Sequence, residues 1–217
     1  MTVWWPAVAL LGCVLSAAHS LAPSPSDRYE KSFRLTRTTR AHVQQLLKKY
    51  KEQHLGNMHF EDRSQQLKSL PSLSTDFYSW LNLTDWERLH AAFWDMQIYW
   101  NMLDWKRKQL EKEDRDHKEV RWSISHIQWD LRDLMNQVKS QVLVRSWSKA
   151  TSPTVHPPLN TEASSKTAWD SRVEGYIILR DLDLYLTKLA RDFLLLASKT
   201  LNLMLPSAQE VETKARE

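Results

Sequence analysis

The chain has 217 residues and a formal net charge of +4, and it contains only three glycines and one cysteine. This length allows one domain with a sizeable core. So few glycines leave β-hairpins without their usual turn residues and exclude a glycine-rich phosphate loop, so the predicted fold class is all-α. Because Cys13 lies in the leader described next, no disulfide, zinc–thiolate site or nucleophilic cysteine is expected in the rest of the chain. The interspersed charges indicate a solvated surface, not a nucleic-acid footprint.

Residues 1–20 are predicted to be a secretory signal peptide. The apolar run over residues 3–14 is too short to span a bilayer, and Ala18 and Ser20 place small residues at a cleavage site. A buried N-terminal helix is the alternative. No later segment is long and apolar enough to anchor the chain, so we expect a secreted protein whose residues 21–217 form one domain.

A first helix is predicted over residues 27–54, with an inner side formed by Tyr29, Phe33, Val43, Leu47 and Tyr50. The long connection over residues 55–83 contains an aromatic stretch that ends at Trp80. This stretch should pack on the helices or meet a partner. Asn82 begins the N-glycosylation sequon Asn-Leu-Thr, in which Thr84 can also act as a helix cap. His54 and His59 flank the start of this connection without a third ligand nearby, so no metal site is predicted.

Two helices joined by a short charged break follow this connection. The second helix is predicted over residues 85–111 and begins with the capping box of Thr84 and Glu87. Its predicted inner side comprises Trp86, Leu89, Phe93, Met96, Trp100, Leu103 and Leu110. The third helix is predicted over residues 117–147, with its inner side formed by Val120, Ile124, Ile127, Leu131, Leu134, Val138 and Val142.

A proline-containing connection over residues 148–166 leads to a fourth helix over residues 170–204. Thr167 and Asp170 can satisfy N–H groups at its start, and Pro206 cannot continue it. Its apolar side comprises Leu179, Leu182, Leu186, Leu189, Phe193 and Leu196. Long, short and long connections are typical of an up-up-down-down four-helix bundle, in which each long crossover carries the chain back along the bundle.

Tryptophan occurs eleven times, twice in the leader, and several indoles do not fit the predicted core. At about 100° per residue, Trp122 and Trp129 lie almost opposite the apolar side of the third helix. Trp169 precedes the fourth helix, outside its apolar side, where it can project from the bundle end or pack on Val173 or Tyr176. Exposed tryptophans are enriched where proteins bind proteins, so the sequence favours an interaction protein with several docking faces.

Residues 72–89 (SLSTDFYSWLNLTDWERL), residues 131–134 (LRDL) and residues 169–199, notably Tyr176, Leu182, Leu184, Leu186, Arg191 and LLLASK, carry a family resemblance. They resemble the alpha-subunit family of interleukin-27, within the interleukin-6 superfamily of helical cytokines. The resemblance covers roughly the last two-thirds of the chain, and its motifs are loose individually but occur in the same order. The first helix resembles the family only in its pattern.

The resemblance implies a cytokine subunit that pairs with a soluble receptor-like beta subunit. The pair would bind type I cytokine receptors, a shared gp130-type transducer and a dedicated receptor, and trigger JAK-STAT immune signalling. Trp80 matches an aromatic residue at the beta-subunit interface, and Trp169 matches the tryptophan that anchors the shared transducer. Trp122 and Trp129 would face the second receptor, by analogy of surfaces only.

Two other functions remain open. One is a self-sufficient cytokine of the interleukin-6 or cardiotrophin type. The other is an amphipathic lipid-binding helical protein of the apolipoprotein type, against which the narrow, regular apolar sides favour a closed bundle. An enzyme is not expected, because the histidines are scattered and no nucleophile motif occurs, and no cofactor is predicted.

Overall fold

The computed structural model of the chain describes residues 24–73, 76–113, 117–143 and 167–204. These ranges contain five helices: α1 (Pro25–Leu55), α2 (Phe77–Asn82), α3 (Asp85–Lys112), α4 (Lys118–Leu143) and α5 (Ala168–Met204). No strand occurs in them, which confirms the all-α class. Within the same ranges, none of the helices combines the length and apolarity needed to cross a membrane. The predicted signal peptide and the connection over residues 148–166 lie outside the described residues.

The helices begin where the sequence offers caps. The side chains of Ser24 and Asp27 form a capping box at α1, and those of Thr84 and Glu87 form one at α3. At α5 the Asp170 N–H donates to Thr167 Oγ1 at 3.0 Å. Gly56 ends α1 at φ 67°, a left-handed conformation that glycine adopts without cost. The long helices therefore lie close to their predicted bounds, although the predicted end of the third helix at Trp147 lies outside the described residues.

The core lies between the four long helices: α1 packs against α4 and α5, and α3 packs against the same two helices. All seven residues predicted to form the inner side of α4 are at most 4% exposed, and all six on α5 are at most 2% exposed. Burial of these apolar side chains is the main force that holds a bundle of this kind together. The predicted apolar sides of α4 and α5 are confirmed.

The predicted inner side of α3 is wrong at its first residue. Trp86 is 40% exposed, and its ring stacks on that of His90 at 4.7 Å. Arg88, two residues further on, is buried instead. An apolar pattern cannot anticipate a buried arginine, because burial of a charge depends on a partner elsewhere in the chain.

The polar middle of α1 also faces the core. Thr36 and Thr39 are completely buried, and their hydroxyls donate to the carbonyls of Ser32 and Leu35, one turn earlier. These bonds satisfy the hydroxyls within the helix. Phe33 and Leu47, predicted on the inner side, are only half-buried at the edge of the core, as are Phe93 and Trp100 on α3.

Candidate functional site

The outer face of α4 carries two exposed indoles, as predicted. Trp122 is 63% exposed and Trp129 is 50% exposed. The ring of His126 lies between them, with its centroid 5.5 Å from that of Trp122 and 6.1 Å from that of Trp129. These three side chains form an aromatic row along one side of α4, which we call the α4 aromatic row. Rigid aromatic surface of this kind is typical of protein-binding sites.

Beside the α4 aromatic row, α1 and α4 bring two histidines and an aspartate together. His42 Nδ1 lies 2.8 Å from Asp130 Oδ2, and His126 Nδ1 lies 3.9 Å from the same oxygen. The two imidazole rings meet edge to face, with centroids 4.7 Å apart. A cavity of about 320 Å³ adjoins the cluster and is lined by both histidines, Trp122, and the ion pair of Lys49 with Glu119.

Trp80 lies on the short helix α2 and is held against the bundle. Its indole N–H donates to Asp192 Oδ1 at 2.7 Å, and the Arg88 guanidinium lies 4.8 Å from the centroid of its ring. Arg88 also pairs with Asp192 and donates to the Trp80 carbonyl oxygen at 2.7 Å. Trp80, Arg88 and Asp192 thus form a three-membered clamp between α2, α3 and α5. The family resemblance singled out Trp80, but it did not indicate that Arg88 and Asp192 position this residue.

The electrostatics behind this clamp follow from burial. Burial raises the pKa of Asp95 to about 6, the negative charge of Asp192 adds to the shift, and the positive charge of Lys188 opposes it. Removal of the Asp95 carboxyl from water thus disfavours its ionised form. Such a group in a catalytic cleft would suggest acid–base chemistry. Asp95 lies on α3, and the charges of Lys188 and Asp192 on α5 act on it, so its raised pKa follows from its place between these two helices.

Around Trp80 the surface remains open and apolar. Phe77 and Tyr78 are 61% and 73% exposed, and Leu184 on α5 is 50% exposed. A groove of about 500 Å³ runs beside them, lined by Leu73, Phe77, Trp80, Leu184, Thr187, Lys188 and Arg191. Asn82, the predicted glycosylation site, is exposed at the last residue of α2. Trp80 is therefore held in place at this surface, while Phe77, Tyr78 and Leu184 beside it are strongly exposed.

Trp169 stands near the start of α5 and is 48% exposed. Its ring meets that of Phe60, from the first connection, edge to face at 6.1 Å. Phe60 in turn packs edge to face on Tyr176 at 5.0 Å. Trp169 therefore contacts Phe60 with one side of its ring, and about half of its surface remains accessible to solvent.

Next to this end of the bundle, Gly175 allows a close approach of three helices. A Cβ at this position would lie 2.7 Å from both Tyr50 Cζ and Lys106 Cε, and closer still to the Tyr50 hydroxyl. Tyr50 is completely buried and donates to the Arg172 carbonyl oxygen at 3.1 Å. Burial lowers the pKa of Lys106 to about 8. A side chain at position 175 would therefore force Tyr50 and Lys106 to shift.

No protein-family model matches this chain, and no curated protein matches it at a significant level. The described residues instead define a broad class of molecule: an all-helical bundle with a closed apolar core and several exposed tryptophans. The cluster of His42, His126 and Asp130 was not predicted from the sequence. The spacing of four between His126 and Asp130 places them on one helical face, but nothing near His42 in the sequence indicates its proximity to them.

Proposed function

We propose that this chain is a secreted cytokine subunit of the interleukin-6 superfamily, akin to the alpha subunit of interleukin-27. It would pair with a soluble receptor-like beta subunit and bind a shared gp130-type transducer and a dedicated receptor, which would trigger JAK-STAT signalling. The observation that carries this proposal is the presence of exposed tryptophans on separate surfaces of a bundle whose apolar core is closed. A chain that brings several receptors together needs several docking surfaces.

The contacts between helices support an up-up-down-down topology for this proposal. The end of α1 meets the start of α5, where Tyr50 bonds to Arg172. The middle of α1 meets α4, where His42 contacts Asp130. In this topology each of the first two long helices lies beside both of the last two, and α1 and α3 each pack against α4 and α5.

Three surfaces have proposed partners. Trp169 at the bundle end would anchor the shared transducer, and the α4 aromatic row with Trp122 and Trp129 would face the second receptor. The surface around Trp80 would bind the beta subunit, with Phe77 and Tyr78 supplying most of the contact. An N-glycan on Asn82 would lie at the edge of this last surface.

Lipid binding has less support than protein binding. The apolar residues of α4 and α5 are buried against the other helices, so a lipid surface would have to open the bundle to reach them. A blue shift of tryptophan emission on addition of phospholipid vesicles would favour lipid binding. We expect no shift. A self-sufficient interleukin-6-type cytokine shares the fold and differs in needing no beta subunit.

The role of Trp169 can be tested with two matched tryptophan variants. Trp169→Ala should leave the helical circular dichroism unchanged and reduce STAT phosphorylation in responsive cells at least tenfold. Trp86→Ala is the matched control, since Trp86 is similarly exposed but is assigned to no partner. Equal signalling by Trp169→Ala and the unmodified protein would show that the transducer site lies elsewhere.

A further inference from the structure

We propose that His42, His126 and Asp130 bind a divalent transition-metal ion, with Zn²⁺ the best match, between α1 and α4. Their potential ligand atoms all lie within 4.8 Å of one another. Two imidazole nitrogens and one carboxylate oxygen are a ligand set that zinc sites use when they keep one position open. This inference does not depend on the proposed cytokine function.

The distances within the cluster are close to those that a tetrahedral ion needs. Zinc bonds of about 2.0–2.1 Å imply a separation of about 3.3 Å between neighbouring ligand atoms. The separations from Asp130 Oδ2 are 2.8 Å to His42 Nδ1 and 3.9 Å to His126 Nδ1, which lie on either side of this value. The ligand atoms of the two histidines lie within 4.8 Å of each other, so the imidazoles would have to rotate toward a bound ion, and all three side chains are only partly buried.

The helices α1 and α4 hold the three proposed ligands near one another before an ion binds. His126 and Asp130 are four residues apart on α4, a spacing that places both side chains on one face. His42 approaches from α1, so an ion would link two helices that are far apart in the chain. The adjoining cavity of about 320 Å³ would give the fourth coordination position access to water. A metal bound to the native fold alone stabilises that fold by mass action.

The simpler explanation is a hydrogen bond between His42 and Asp130 that joins α1 to α4 without an ion. This explanation requires neither His126 nor a response to metal. If His42 Nδ1 donates to Asp130, metal binding would have to move this proton to Nε2 or release it, because a metal ligand nitrogen carries no proton. The two explanations therefore predict different effects of Zn²⁺ and of substituting His126.

The test is isothermal titration of the purified full chain with ZnCl₂ near neutral pH, followed by thermal unfolding. We expect one equivalent to bind, and a concentration of 100 times the Kd to raise Tm by roughly 5–10 °C. The variants His126→Gln and Asp130→Asn should each weaken binding at least tenfold and remove most of the rise in Tm. His59→Gln is the control, because His59 is an exposed histidine on the first connection.

A second readout locates the ion. Cu²⁺ exceeds Zn²⁺ in affinity for such ligands and quenches nearby indoles. Trp122 and Trp129 flank His126, so changing both to Phe should leave Cu²⁺ affinity unchanged and remove part of the quenching. Absence of Zn²⁺ binding by the unmodified chain would overturn the proposal. So would binding that persists undiminished in a folded double variant with His42→Gln and His126→Gln.

Discussion

The clamp around Trp80 predicts that this residue stabilises the isolated chain, whatever partner it meets. A hydrogen bond to a charged group contributes about 1.5–3 kcal/mol. A cation–π contact contributes about 0.5–2 kcal/mol. Trp80 makes one of each, with Asp192 and Arg88 respectively. In Trp80→Ala, Asp192 still pairs with Arg88. The loss in free energy of unfolding should therefore fall in the lower part of the sum of these two ranges. We expect Trp80→Ala to lower the free energy of unfolding by about 2–4 kcal/mol.

A graded series separates the two contacts. Trp80→Phe keeps an aromatic ring under Arg88 and removes only the indole N–H, so it should cost about 1–2 kcal/mol. Trp86→Ala removes an exposed indole that stacks on His90 and should cost less than about 1 kcal/mol. Urea unfolding followed by circular dichroism measures all three variants. Two-state behaviour is checked by comparison with thermal unfolding.

Unfolding of Trp80→Ala at the same urea concentration as the unmodified chain would refute this stabilising role of Trp80. That result would mean that Trp80 is not held by Asp192 and Arg88 in solution. It would leave the indole available as a direct contact for a beta subunit. A stability loss in the expected range would instead direct the search for the interface to Phe77 and Tyr78, the most exposed aromatic residues of α2.

Three further predictions concern packing and pH. Gly175→Ala should destabilise the chain by about 1–3 kcal/mol, because the added Cβ would collide with buried Tyr50. This loss should outweigh the better helix propensity of alanine. Thermal unfolding measures the loss, and a rise in Tm would contradict it. Because burial raises the pKa of Asp95 from 3.8 to about 6, ionisation of its carboxyl lowers stability as pH rises through this range. Asp95→Asn should therefore gain roughly 1–3 kcal/mol at neutral pH and nothing below pH 3.8 in urea unfolding, and an equal gain at both would exclude this cause. Burial and nearby His117 lower the pKa of His54 from 6.5 to about 4, so stability is lost as pH falls from 6.5 to 4. His54→Phe should make this loss smaller, and an unchanged profile of unfolding free energy against pH would assign it to another group.

The regular parts of this fold could be predicted from local sequence. The side of α4 from Val120 to Val142 shows the spacing of three and four that a helix requires, and every predicted member is buried. The cap of α3 could be predicted because Thr84 and Glu87 act within one turn. Such features depend on residues close together in the chain, and these are visible in a single sequence.

Features that depend on distant residues could not be predicted. Arg88 is buried because Asp192, 104 residues away, accepts its hydrogen bond. The same dependence explains why Trp86 does not lie in the core as predicted, and why no local pattern reveals that Gly175 faces Tyr50 and Lys106. His42 contacts Asp130 across 88 residues of sequence, and no local pattern announces this contact. The exposure of Trp122 and Trp129 was predictable because it follows from helical geometry alone.

The most direct test of the proposed function is assembly with a beta subunit. The chain is produced in secreting cells with and without the soluble beta subunit of interleukin-27, and the medium is analysed by size-exclusion chromatography. We predict co-elution as a one-to-one complex, which Tyr78→Ser should weaken without loss of helical circular dichroism. A chain that elutes as a monomer in both cases and activates STAT phosphorylation alone would contradict the heterodimer and favour a self-sufficient cytokine.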